Sequence, residues 1–191
     1  MKDQSIKKTA STENTDFPAM EALTLTPVGV ICSEIKEPML RANEDGLSLE
    51  ERQEKIEHHR DRVKAMVSDI IIDPALSGIL DGIEGFSHIL VLYWPHLVPR
   101  ERRNLQKVHP MGRKDIPKQG IFATCSPARP NPVLVTAVKL VEREKNILRV
   151  QGLEAVDGSP VLDIKPYNPG YYRVEDPILP EWMKKLLEEA G

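Results

Sequence analysis

Chemistry in this chain concentrates in two stretches. The first, Gly120–Pro132, reads GIFATCSPARPNP, and Pro127, Pro130 and Pro132 fix three φ angles around Arg129 and Asn131. A loop held so stiffly loses little entropy when it binds a ligand. The Arg129 guanidinium is a planar five-donor fork suited to a carboxylate or phosphate, and Asn131 offers both a donor and an acceptor. Such a loop is either a recognition surface for a polar small molecule or a rigid structural connection. The second stretch, Leu153–Tyr167, reads LEAVDGSPVLDIKPY. Its turn leads into a strand that carries Asp163 and Lys165 on one face at i, i+2 spacing. These two form either an exposed ion pair or a charged pair set at a site. Among the five histidines, His96 stands just past a buried apolar run and is the one placed at a site. His58 and His59 are adjacent on a helix and point apart, which disfavours metal binding.

The charge balance along the chain is uneven. The net charge is −3, yet the segment from Arg100 to Lys118 holds seven basic residues against two acidic ones, a local charge of +5. Arg102, Arg103 and Lys107 lie within it, facing either a phosphate backbone or plain solvent. Hydrophobic residues make up 40% and charged residues 29% of the 191, a globular composition without a run long enough to span a bilayer. Cys32 and Cys125 are unclustered, which argues against a disulfide scaffold and against a zinc site and fits a reducing, cytoplasmic setting. Met1 to Thr15 is polar with no apolar core to suggest a signal peptide. A flexible tail over residues 1–22 and one domain over 23–191 are expected.

The elements that position these residues are short strands with inserted helices. Val28–Cys32 reads as a first strand that Pro27 either confines to an edge or delays. Ser48–Val67 begins with a capping box, Ser48 and Glu51, and runs free of Gly and Pro as a charged helix with a thin stripe of Leu49, Ile56 and Val63. Ser68–Asp73 is a short strand, and Ala75–Leu80 a helical turn. Phe86–Trp94 is a continuous apolar run expected to be buried on both faces at the centre of a sheet. Val133–Glu142 and Ile147–Ala155 form a hairpin about Lys145-Asn146, Val161–Lys165 is the last strand, and Glu181–Ala190 closes the chain as a helix with Met183, Leu186, Leu187 and Ala190 on one face. This irregular succession favours a mainly β (α+β) fold, a barrel with one long inserted helix and a C-terminal helix. No G-x-G-x-x-G follows a strand, so a Rossmann-type site is disfavoured.

Taken together, GFSHILVLYWPH, GIFATCSPARPNP and DGSPVLDIKPY resemble the TsaA/TrmO-like family of β-barrel S-adenosylmethionine-dependent tRNA methyltransferases, with the likeness running from about Val28 to Tyr167. The resemblance implies a TsaA/TrmO-like barrel in short, single-domain form. It implies a cofactor pocket lined by Phe122, Ala123, Thr124, Ser126, Arg129, Asn131, Asp157, Val161, Leu162 and Lys165. It further implies a homodimer with the cofactor near the subunit interface, and methyl transfer to N6 of threonylcarbamoyl-adenosine beside the tRNA anticodon. On that likeness Asp163 or His96 takes the acceptor's proton, Tyr167 orients it, and Arg102, Arg103 and Lys107 hold RNA. The pattern is broken by Cys125 where the family has Arg, by Leu134 where it has Gly, and by the charged helix in place of a proline-rich stretch after Cys32. These departures keep two alternatives open: a methyltransferase of the same fold acting on another RNA or a small molecule, and a non-catalytic cofactor-binding module.

Overall fold

The computed structural model describes residues 21–38 and 49–189, and the side chains of its first helix from Ile56 onward. The strands are β1 (Gly29–Cys32), β2 (Val67–Ile72), β3 (His88–Tyr93), β4 (Lys107–Val108), β5 (Gln119–Gly120), β6 (Leu134–Glu144), β7 (Ile147–Gln151) and β8 (Pro160–Pro166). Six of them close into a barrel in the order β1–β2–β7–β6–β3–β8, with every neighbouring pair antiparallel. Closure pairs both sides of β1, so Pro27 delays the strand rather than confining it to an edge. Gly29 is required where it stands, since a Cβ there would run into the Ile71 carbonyl oxygen across the β1–β2 pair.

Alternation of inward and outward residues fills the interior. Ile31, Ile70, Ile89, Val91, Leu148 and Val150 are wholly buried there. Phe86–Trp94 departs from the two-faced burial its composition suggests: in β3, Ile89, Val91 and Tyr93 point inward while Leu90 and Leu92 lie half-buried on the outer surface. A barrel has one interior, so a strand within it has one buried face. The Tyr93 hydroxyl donates to the Glu154 carbonyl at 2.6 Å, and burial pushes its pKa up.

The long helix α1 (Leu49–Ala65) lies on the surface and is fastened at its C-terminal end. Val63 and Met66 are buried, and the Gln151 side chain donates to the Lys64 carbonyl at 3.1 Å. Ser48, the side chains of Leu49 and Glu51, and most of the 1–22 tail lie outside the described residues. After β8 come a single turn, α2 (Pro169–Tyr172), and the C-terminal helix α3 (Glu181–Glu189). The half-buried apolar residues of α3 are Trp182, Met183 and Leu186, whereas Leu187, expected on the same face, is exposed. Ala190 lies outside the described residues. No helix among them is long and apolar enough to cross a membrane.

Candidate functional site

Strand directions gather the chemistry-bearing loops at one end of the barrel. The end of β3 at Tyr93 pairs with the start of β6 at Leu134 and the start of β8 at Val161. At this end, therefore, segment 94–133 leaves and returns, the 157–160 turn enters β8, and the chain runs out of β1 toward residues 33–37. The second motif is clamped there. Asp157 accepts the Ser33 N–H at 2.9 Å and pairs with Lys36 at 2.8 Å, and the Gly158 N–H donates to the Ile31 carbonyl. These partners, Lys36 foremost, hold the Asp157 carboxyl below its ordinary value. Gly158 has φ +76°, and a Cβ placed on it would meet only the His96 ring, at 3.8 Å. The His96 Nδ1 lies 3.3 Å from the Ser159 hydroxyl, so this histidine sits directly over the turn.

The proline-framed loop is organised from within. Arg129 donates through Nε to the Ser126 carbonyl at 2.9 Å and through Nη2 to the carbonyls of Ile121 and Thr124. Thr124 Oγ1 donates to the Ile121 carbonyl, and the Ser126 hydroxyl accepts the Ala128 N–H. The fork read from sequence as a ligand clamp thus ties three carbonyls of its own loop together. What the loop presents outward is Phe122, 80% exposed, together with exposed Ala123, Cys125 and Asn131.

On β8 a bulge decides which side chains face out. Leu92 pairs with Asp163 and Tyr93 with Val161, which leaves Leu162 as an extra residue. The bulge reverses the alternation that spacing alone implies. Val161 is wholly buried in the core with its carbonyl bonded to the Val28 N–H, so its side chain and its carbonyl are withheld from a ligand. Beyond the bulge Ile164 packs on the core, while Asp163 and Lys165 turn to the outer surface, 2.6 Å apart and half-exposed. The carboxylate holds the Lys165 ammonium above its ordinary pKa. Tyr167 continues this outward row at the far end of β3, where its N–H donates to the His88 carbonyl. Four residues of strand, about 13 Å, separate Tyr167 from Asp163. His96, Asp163 and Tyr167 are therefore spread along the end and flank of the barrel instead of converging on one atom.

The basic segment forms a hairpin, β4 against β5, whose Lys107 faces Gly120 at the start of the proline-framed loop. Not all its charge is available. Arg103 stacks on Trp94, with the guanidinium carbon 5.0 Å from the ring centroid, and donates to the Val98 carbonyl. It braces segment 94–104 rather than reaching outward. Arg113 is 4% exposed and pairs with Asp115 and with Glu189 of α3. Arg102 is half-buried, and Lys107 is exposed. Among the described residues no three His, Cys, Asp or Glu side chains assemble as a metal site.

Residues 48–172 match the family described as the tRNA-methyltransferase O N-terminal domain. The chain belongs to that family. It is 51% identical over 106 residues to a probable S-adenosyl-L-methionine-binding protein of Methanothermobacter thermautotrophicus, covering 56% of this chain and 73% of that one. It is 35% identical over 159 residues to another such protein of Pyrococcus abyssi, covering 83% and 75%. It is 41% identical to a mouse tRNA (adenine(37)-N6)-methyltransferase over 48% of this chain and 21% of that enzyme. A crystal structure of TrmO from P. aeruginosa superposes with a TM-score of 0.60 at 26% identity, over 86% of this chain and 63% of that one. The chain thus spans under two thirds of the TrmO chain and about a fifth of the mouse enzyme.

Within this family frame, the two departures from the loop pattern differ in weight. Leu134 is half-buried and packs on the barrel core opposite Tyr93, so a larger side chain there adjusts packing. Cys125 is exposed on the loop and does alter the outward chemistry. Two features escaped the sequence reading: the Ser159–His96 contact, which joins residues 63 apart, and a stack of tyrosines after β8. The repeated Tyr in NPGYY was the available signal for the second.

Proposed function

We propose that the protein is an S-adenosylmethionine-dependent methyltransferase whose acceptor is tRNA, with N6 of threonylcarbamoyl-adenosine beside the anticodon as the target atom. The observation that carries this reading is the meeting of the proline-framed loop, the 157–160 turn and His96 at one end of the barrel in a chain of this family. The residues present suit the cofactor. Asp163 and Lys165, opposite charges side by side, complement the ammonium and carboxylate of its amino-acid end, and exposed Phe122 offers a face for its adenine. S-adenosylmethionine supplies a methyl group on a sulfonium, which leaves readily, so the protein's task is placement and removal of one proton.

His96 is the group set for that proton. Nδ1 rests against the Ser159 hydroxyl and Nε2 lies over Gly158; in the tautomer with its proton on Nδ1, Nε2 holds the lone pair that accepts the acceptor's proton. Arg129 acts through the loop: by fixing the carbonyls of Ile121, Thr124 and Ser126 it sets where Phe122 and Asn131 point. Arg102 and Lys107, on the segment that leads into the loop, contact the RNA backbone. The protein acts in the cytoplasm as a homodimer, and the bare side chains of Val174 and Ile178 are suited to contact a second copy.

Purified protein given methyl-labelled S-adenosylmethionine should label tRNA that carries threonylcarbamoyl-adenosine and leave unmodified tRNA unlabelled. Binding to tRNA should also weaken steeply as salt rises, as neutralised phosphates release counterions. Cofactor binding with no label in any tRNA would favour an acceptor of another class, the alternative that Cys125 supports.

A further inference from the structure

Beyond Lys165, the outward row of β8 runs into three tyrosines. The Tyr167 and Tyr172 rings stack with centroids 6.0 Å apart and planes 23° from parallel, and Tyr171 meets Tyr172 edge-on at 6.4 Å. The turn that carries them is rigid. Asn168 caps it by accepting the Gly170 N–H at 2.9 Å, Pro169 fixes its first residue, and the Tyr171 and Tyr172 N–H groups both donate to the Asn168 carbonyl. At the end of this braced stack Tyr171 is 83% exposed. An aromatic side chain immobilised against its neighbours yet left bare has already lost the freedom that binding would remove, which is the condition for a stacking platform.

The surroundings indicate what stacks there. Lys165, paired with Asp163 at 2.6 Å, stands two residues before Tyr167 in the same outward row, and exposed Arg173 directly follows Tyr172. The acidic pair Glu175–Asp176 comes only after Val174, where the chain turns with Asp176 at φ +48°. A flat aromatic face beside the exposed Arg173 guanidinium matches a nucleobase with its phosphate. Aliphatic partners would gain no more from tyrosine than from the bare Val174 and Ile178 farther on.

We propose that Tyr171, supported by Tyr172 and Tyr167, stacks a nucleobase of the tRNA remote from the acceptor nucleotide, at the end of β8 opposite the His96 turn, and so helps to hold the RNA. This rests on the tRNA reading above. Ser159, under His96, and Tyr167 lie eight residues apart along β8, about 26 Å, so the stacked base is several nucleotides away from the acceptor.

The test compares wild type with Tyr171→Ala, Tyr171→Leu and Tyr171→Trp in steady-state methylation of threonylcarbamoylated tRNA, with S-adenosylmethionine affinity and solution mass measured in parallel. Tyr171→Ala and Tyr171→Leu should raise KM for tRNA about tenfold, the loss of one stacked base. Tyr171→Trp should stay near wild type, and kcat, cofactor affinity, melting temperature and mass should hold in all three. A Leu variant as good as Trp would overturn the platform. So would a weakened cofactor affinity with an unchanged KM for tRNA, which would assign the ring to the cofactor's adenine, or a fall in solution mass, which would assign it to a subunit contact. Failure of the wild type to methylate tRNA at all would instead sink the tRNA reading itself.

Discussion

Inside the barrel, Ile31, Ile70, Ile89 and Leu148 are wholly buried and alike in kind, held by nothing more directional than packing between paired strands. Over the barrel's end, the loop of residues 121–132 buries little more than Ile121 and Pro132, leaves Phe122 bare, and keeps its shape through Arg129, Thr124 and Ser126 bonding to its own backbone. The interior is redundant, since many apolar contacts share the load. The loop rests on a few directional bonds, half of them from one guanidinium. Substitutions should therefore separate stability from binding.

The largest separation is expected from Leu148→Ala. It removes a wholly buried side chain and should cost about 2–5 kcal/mol in chemical denaturation, while cofactor affinity per folded molecule stays unchanged. A matching loss of affinity would mean that interior and loop are one cooperative unit. Arg129→Ala should do the opposite, weakening S-adenosylmethionine binding about 10- to 100-fold, as expected for lost charge-assisted hydrogen bonds that order a binding loop, with the melting temperature within a few degrees of wild type. Arg129→Lys should not rescue, because a single ammonium cannot reproduce the planar fork that ties three carbonyls. Full rescue by Lys would indicate that charge alone matters.

A smaller effect should mark the contact between α3 and the basic hairpin. Asp115 and Glu189 are both held below their ordinary values, chiefly by Arg113. Carboxyls depressed in the folded state stabilise it above the ordinary carboxylate range and cease to do so as pH falls through their folded values. The helix should accordingly loosen only as the pH drops below about 4. Trp182 fluorescence, read in a Trp94→Phe background, should change before the barrel's circular dichroism does. Simultaneous loss of both signals would show that α3 is not separately latched.

Much of the barrel was legible because period-two patterning and turn residues announce strands locally: Val28–Cys32, Ser68–Asp73 and the hairpin about Lys145-Asn146 all appear within a few residues of where they read. Burial of Phe86–Trp94 on both faces was misread because composition does not disclose that a sheet has closed on itself. The site was legible as motifs and less so as geometry. Nothing in DGSPVLDIKPY reveals that Leu162 is a bulge, and without it Val161 and Asp163 share a face. The bulge sends Val161 to the core and Asp163 outward. Arg129 and Arg103 read as free cations, because a single sequence cannot show that the nearest acceptors are the protein's own carbonyls or that a Trp94 ring lies beneath.

Hydrogen exchange with and without S-adenosylmethionine tests the central assignment most directly, that ligand is held by the loop and turn at the barrel's end while the interior only supports them. Added cofactor should slow exchange in peptides covering 121–133 and 157–165 and leave β2 and β7 unchanged. Protection confined to the barrel strands, or centred on the cleft between residues 34–37 and the end of α1 that Arg62, Val63 and Met66 help line, would contradict it.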